Sequence, residues 1–139
     1  MGTYTHFNGQ VAVIAEVNCE TDFVANTDDF KTLASEIALH IASMAPRWVH
    51  RDQVPGSTLD VERRVAEQQA KESGKPDNVV PKIVEGKLEA FYKDSVLMDQ
   101  PYIRDDSKTV QDLVTEVSAK VGEKVAVKRF ARFRVGEEA

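Results

Sequence analysis

The sequence predicts an α+β domain: a small antiparallel sheet, made of an N-terminal hairpin and a C-terminal strand, packed against helices with a helical hairpin protruding. Three observations carry this. Asn8-Gly9 lies between two β-rich runs, and both residue types tolerate positive φ, which makes the pair a strong hairpin signal. Phe30, Leu33, Ala34, Ile37, Ala38, Ile41 and Met44 recur at spacings of three and four, one apolar helical stripe. Residues 124–135 alternate like a strand at the far end of the chain. Strands at both ends with helices between them suit helices on one side of an antiparallel sheet. At 139 residues a single domain, 1–139, is expected.

The elements follow in order. Residues 3–7 are rich in β-branched and aromatic types and lead into Asn8-Gly9. Residues 10–17 return, with Val11, Val13, Ala15 and Val17 on one face and Ala12, Ile14 and Glu16 on the other. Both faces are largely apolar, so this strand is expected to be central. Thr27 or Asn26 can cap the first long helix, Asp28 and Asp29 suit its N-terminal dipole, and Pro46 stops it. Trp48-Val49 reads as a short extended piece and Pro55-Gly56 as a turn. Ser57 or Thr58 opens a second helix running to Ser73, with a thin stripe of Leu59, Val61, Val65, Ala66 and Ala70. Asp60 with Arg64, and Glu67 with Lys71, are spaced to pair on its exposed side. Gly74-Lys75-Pro76 makes a helix–helix turn. Val79, Val80, Ile83, Val84, Leu88, Phe91 and Tyr92 mark a third helix, so residues 57–94 read as an antiparallel helical hairpin. Residues 99–106 read as a loop. Thr109 can cap a fourth helix over 110–121, with Val110, Leu113, Val114 and Val117 inward and Gly122 closing it. On the last strand, strict alternation places Val125, Val127, Arg129, Ala131, Phe133 and Val135 together, opposite Ala126, Lys128, Phe130, Arg132 and Arg134.

Composition narrows the function. Apolar residues are 42% and charged residues 29%, an ordinary globular balance. The net charge of −5 argues against a general nucleic-acid or membrane-surface binder. No apolar run approaches the roughly 20 residues that span a bilayer. The single cysteine, Cys19, can form no internal disulfide, which fits a reducing compartment. His6, His40 and His50 lack metal-ligand spacing, and Asp105-Asp106-Ser107 lacks the glycine and distal acid of a calcium loop. There is no phosphate-cradling glycine loop and no serine nucleophile elbow. No enzyme activity, metal or cofactor is expected. Cys19 is flanked by Glu20 and Asp22, so it reads as a small packed hydrophobe, not a reactive thiol.

The junction between the second strand and the first long helix is the richest stretch: Val17-Asn18-Cys19-Glu20-Thr21-Asp22-Phe23-Val24-Ala25. It sets an acid and a large aromatic side by side where the chain must turn. Connections on a rigid scaffold are where binding residues concentrate, and an aromatic beside a carboxylate can anchor an interface. The plain alternative is Asp22 as a turn or cap former and Phe23 as a core plug where strand meets helix.

This run closely resembles the signature of bacterial-type elongation factor Ts, the guanine-nucleotide exchange factor for elongation factor Tu. Two further blocks extend the likeness. Lys82-Ile83-Val84-Glu85-Gly86-Lys87-Leu88 with Phe91-Tyr92 is similar to the family's third-helix pattern. Val96-Leu97-Met98-Asp99-Gln100-Pro101-Tyr102-Ile103, with Asp105, is similar to its next segment, with Tyr102 where phenylalanine is usual. The matches run from about Gly2 to Val135. The resemblance implies that Asp22 and Phe23, supported by Thr21 and Val24, insert into the GTPase domain of elongation factor Tu. Phe23 would wedge between partner helices and disturb the magnesium and phosphate-binding loops.

Residues 128–134 interleave Lys and Arg with Phe, a pattern that can contact RNA. It also fits a strand with one packed face and a charged edge. In the resembled family this strand belongs to the sheet through which short members pair, so Arg129, Ala131 and Phe133 are candidates for a homodimer contact. The family's N-terminal helical domain has no counterpart within these residues, and one core half is present where long members carry two. The expectation is a core and dimerisation domain that binds elongation factor Tu as a homodimer, with no direct nucleic-acid or membrane contact. Its place would be the bacterial cytoplasm, or an organelle interior if a transit segment precedes it.

Overall fold

The N-terminal hairpin forms as expected: β1 (Gly2–Thr5) pairs antiparallel with β2 (Val11–Asn18) in the computed structural model, which describes residues 1–137. The connection is longer than a two-residue turn. It covers residues 6–10, closed by the Gly9 amide donating to the His6 carbonyl at 2.8 Å. A one-turn helix α1 (Asp22–Ala25) follows, then α2 (Asp28–Met44), α3 (Gly56–Glu72) and α4 (Val80–Ser95). A two-stranded ribbon, β3 (Pro101–Tyr102) with β4 (Asp105–Thr109), leads into α5 (Val110–Val121) and β5 (Ala126–Arg134). The main sheet has the order β1-β2-β5 and is antiparallel throughout. The architecture is α+β, as the sequence predicted.

Packing explains the layers. Val13, Ala15 and Val17 of β2 face α2, whose Phe30, Leu33, Ala34, Ile37, Ala38 and Ile41 are buried. Val110 and Val114 of α5 and Val125 and Val127 complete this core. Each fully buried aliphatic side chain contributes about 2 kcal/mol of hydrophobic transfer free energy. Gly2 is needed where β1 crosses α2, because a Cβ there would overlap the Ala34 carbonyl oxygen. Thr27 caps α2 by accepting from the Phe30 amide at 3.3 Å. Thr109 and Asp112 form a reciprocal capping box on α5.

Helices α3 and α4 stand apart as the expected hairpin. They bury a second, small cluster of Ala66, Ala70, Val80 and Val84, with Ile83 and Leu88 packed on it. The base is zipped to the body by Arg47 N to Ser95 O (2.7 Å) and Leu97 N to Trp48 O (2.8 Å). Arg51 bonds Glu89 on α4 and Asp99 on the body, and its guanidinium lies 4.4 Å over the Tyr92 ring.

Several expectations need correction. The stretch 99–106 is not a plain loop: Leu97–Asp99 is a 3-10 turn, and the ribbon uses residues from Pro101 onward. The one-turn helix α1 was not foreseen. Val61 and Val65 of the α3 stripe are exposed, and Arg63 reaches Asp60 at 3.2 Å in place of the two pairs expected four residues apart. The strict alternation of β5 fails. Val17 faces Val127 but Glu16 faces Arg129, which leaves Lys128 as an extra, bulged residue. Val125 and Val127 therefore point inward, whereas Arg129, Ala131 and Phe133 share the outer face with Ala12, Ile14 and Glu16. Strand β2 is central in the sheet, yet that outer face is open to solvent in a single copy.

Candidate functional site

The candidate site is the turn between β2 and α2. Thr21 is the N-cap of α1: its hydroxyl oxygen accepts from the Val24 amide at 3.3 Å. Asn26 closes the other end, with both its backbone and its side-chain amide donating to Asp22 O. Thr27 then links the two helices, donating its hydroxyl to Val24 O at 2.7 Å while capping α2. One turn of helix is thus capped at both ends, which is how so short an element holds a shape.

This geometry sorts the signature residues. Val24 is 4% exposed and belongs to the main core. Phe23 is 83% exposed. The core plug at this junction is Val24, not Phe23. Asp22 and Thr21 are exposed beside Phe23. The turn thus shows solvent an aromatic ring with a carboxylate next to it, while its neighbour pins the backbone to the core. Exposing a phenylalanine so fully leaves its apolar surface in water, a cost that a partner's pocket would relieve.

A residue remote in sequence completes the turn. Glu123, just beyond α5, accepts from Glu20 N and Thr21 N at 3.0 Å each and from the Thr21 hydroxyl at 2.6 Å. Lys120 of α5 pairs with Asp29 at the start of α2 at 3.2 Å. Nothing in local spacing identifies Glu123, because its partners lie about a hundred residues upstream. Cys19 is half-buried and donates its Sγ–H to Thr21 O at 3.2 Å, in keeping with the packed-hydrophobe reading.

The other candidates lie elsewhere. Arg129, Ala131 and Phe133 are on the outer sheet face, away from α1. Phe133 is 72% exposed and Ile14 beside it 43%. Arg129 pairs with Glu16 at 2.9 Å. The Asn18 side chain first, then Arg129, holds the Glu16 carboxyl below its usual range. Arg132 lies on the inner face, where its guanidinium donates to Ala42 O.

A buried polar network was also missed. His40 is fully buried, bonded through Nε2 to Gln100 Oε1 at 2.9 Å and accepting at Nδ1 from Ile103 N at 3.2 Å. Gln100 in turn donates to Met44 O and Asp94 O. Nearby, Tyr102 donates to Glu36 at 2.9 Å, and Arg104 pairs with the same carboxylate. Burial first, then that bond, pushes the Tyr102 hydroxyl up to about 12. Every partner in this network is a structural neighbour, so it serves as internal scaffolding.

Among the described residues, no group of three or more His, Cys, Asp or Glu side chains is arranged to hold a metal ion. No helix among them is long and apolar enough to cross a membrane. What the turn offers chemically is a contact.

Comparison with known proteins shows the family. The family model described as Elongation factor TS matches residues 1–137. The elongation factor Ts of Fervidobacterium nodosum is 49% identical over 135 residues, covering 97% of this chain and 68% of the relative. That of Coprothermobacter proteolyticus is 53% identical over 134 residues, covering 96% and 68%. That of Thermotoga neapolitana is 51% identical over 135 residues, covering 97% and 68%. The matched range takes in nearly the whole chain, and the chain belongs to the elongation factor Ts family.

Proposed function

We propose that this chain is a guanine-nucleotide exchange domain that binds elongation factor Tu and promotes GDP release during translation elongation, working as a homodimer. The observation that carries the reading is Phe23, 83% exposed on a doubly capped turn beside Asp22. The mechanism makes and breaks no covalent bond. The chain must bind the nucleotide-free partner more tightly than the GDP-bound one, since equal affinity for both would shift nothing. Phe23 supplies apolar area that is buried only when a partner helix pair opens to receive it. Asp22, exposed beside it, would accept from backbone amides of the displaced partner helix. Thr21 and Val24 hold the pair in place, one as a cap and one as a core anchor.

The homodimer reading rests on the outer sheet face. Ala12, Ile14, Ala131 and Phe133 form an apolar strip there, flanked by the Glu16–Arg129 pair. A second copy would cover that strip by the same face, as a two-fold contact requires. An RNA-binding reading of the same strand has less to work with, because Arg129 and Arg132 already have partners within the fold.

The test is release of a fluorescent GDP from elongation factor Tu, with the natural sequence and Phe23→Ala compared. Truncating an interface anchor costs about 2 kcal/mol or more, roughly thirtyfold in exchange efficiency. Thermal stability should be unchanged, since the ring packs on almost nothing. Equal acceleration by both chains would move the site away from Phe23. Failure of the natural sequence to bind nucleotide-free elongation factor Tu would end the reading.

A further inference from the structure

We propose that Glu123 is the positioning residue for the exchange wedge: its carboxylate fixes the direction in which Asp22 and Phe23 leave the body. The proposal rests on the exchange reading above. A side chain as exposed as Phe23 makes too few contacts to set its own direction. Its direction is inherited from the backbone of α1, and α1 is a single turn that would not persist alone.

Both oxygens of Glu123 are used. Oε1 accepts from Glu20 N and Thr21 N, and Oε2 accepts from the Thr21 hydroxyl. Hydrogen bonds to an ionised carboxylate are shorter and roughly twice as strong as neutral ones. The third bond also sets the cap. With its proton directed at Glu123, the Thr21 hydroxyl has only lone pairs left for α1, and one of them takes the Val24 amide at 3.3 Å. Glu123 thereby orients the residue that starts α1.

Glu123 is itself anchored to the body. Gly122 takes the left-handed conformation (φ 73°) that ends α5 and aims the next residue at the β2–α1 junction. The Ser118 hydroxyl donates to Glu123 O at 2.6 Å and accepts from Val125 N at 3.3 Å. A continuous path of hydrogen bonds therefore runs from the C-terminus of α5, through Glu123 and Thr21, to α1. The alternative, a bond that merely adds stability, predicts a different pattern of variant effects.

The experiment titrates each chain into elongation factor Tu loaded with fluorescent GDP and separates the maximal release rate from the half-saturating concentration. Glu123→Ala should lower the maximal rate about tenfold, because small misplacement of a contact group is costly. The half-saturating concentration should move less, since the rest of the contact surface is intact. Thr21→Val should fall alongside it, and Thr21→Ser, which keeps the hydroxyl, should restore most of what Thr21→Val loses. The double variant Glu123→Ala/Thr21→Val should lose less than the two single losses multiplied together, because both remove the bond between the Thr21 hydroxyl and Glu123. Amide hydrogen exchange at Glu20 and Thr21 should quicken in Glu123→Ala while α5 and β5 amides stay protected. Glu123→Gln, which keeps the size and one acceptor oxygen, stands in if the alanine variant unfolds, with a smaller loss in the same direction. A full rate in Glu123→Ala, additive effects in the double variant, or unchanged protection at Thr21 would overturn the proposal. If the natural sequence accelerates nothing, the exchange reading fails and the proposal falls with it, an outcome distinct from a normal rate in the variant.

Discussion

The body of the molecule buries Ile37, Ile41, Leu97 and Val110 completely between the sheet and helices α2 and α5, whereas the hairpin of α3 and α4 buries only Ala66, Ala70, Val80 and Val84. The body also carries the candidate site, and its backbone is crosslinked over long sequence distances by Glu123, Gln100 and the sheet. The hairpin meets the body chiefly at its base, through Arg51, Trp48 and the bonds around Ser95. The exposed Phe23 ring thus sits on the part with the deeper core. The contacts that hold α1, through Val24 and Glu123, involve no residue of the hairpin. The two should therefore lose structure separately, with the hairpin opening first.

The largest effect expected is in the body. Ile37→Ala removes a side chain with no exposure from between β2 and α2 and should cost about 3 kcal/mol of global stability. Urea unfolding followed by far-ultraviolet circular dichroism measures it. Loss of this size confined to the hairpin signal would break the comparison.

A second body effect is set by pH. Burial lowers the His40 pKa from its ordinary value of 6.5, with the Gln100 bond pulling weakly the other way. The folded state thus holds His40 neutral, and protonation would also remove the acceptor that Ile103 N uses. The unfolded chain takes up a proton at a higher pH than the folded one does. Stability from this group is therefore complete above about pH 6.5 and is lost as pH falls below it. The carboxylates held low, Glu16, Glu89 and Asp105, act at more acidic pH. Between pH 7 and 5 the urea midpoint should drop, and His40→Gln, though less stable at pH 7, should show a flatter profile over that range.

The same contrast governs what could be read from the sequence. Periodicity revealed α2, α5 and the hairpin because each repeats a local spacing that one buried face imposes. Asp22-Phe23 stood out for another reason: the pair sits in a stretch whose residue types resemble a known signature, and the structure exposes both residues. Glu123, His40 and Gln100 were not legible as partners. Their bonds span sixty to a hundred residues, and no local pattern marks a polar side chain whose partner lies that far away. The β5 faces were misassigned because the bulge at Lys128 shifts the alternation by one residue, and the residue types on either side permit both phases. Residues 99–106 read as a loop because Asp105 and Asp106 have poor strand propensity, and pairing with Pro101 and Tyr102 overrode it.

A smaller effect tests the hairpin. Val84→Ala removes two methyl carbons from its cluster, worth about 1.5 kcal/mol. Measured by amide hydrogen exchange, the loss should appear in α3 and α4 alone, while α2, α5 and the sheet keep their protection. The exchange activity of the body should survive. Equal loosening of α2 would show that the two clusters melt as one unit and that the base contacts of Arg51 couple them more tightly than their geometry suggests.

The smallest effect runs the other way. Gly86 lies in the middle of α4, and a Cβ added there meets no atom within 4 Å. Glycine costs a helix interior about 0.5–1 kcal/mol relative to alanine, largely through the freedom it gives the unfolded chain. Gly86→Ala should thus slow amide exchange across α4 by a few-fold and leave the body's urea midpoint where it was. If the midpoint rises instead, the hairpin unfolds together with the body and the two-part description fails. If α4 tightens and nucleotide release from elongation factor Tu slows, the looseness of this helix is part of how the chain meets its partner. A stable variant with unchanged release would confine the exchange function to the rigid body that carries Phe23.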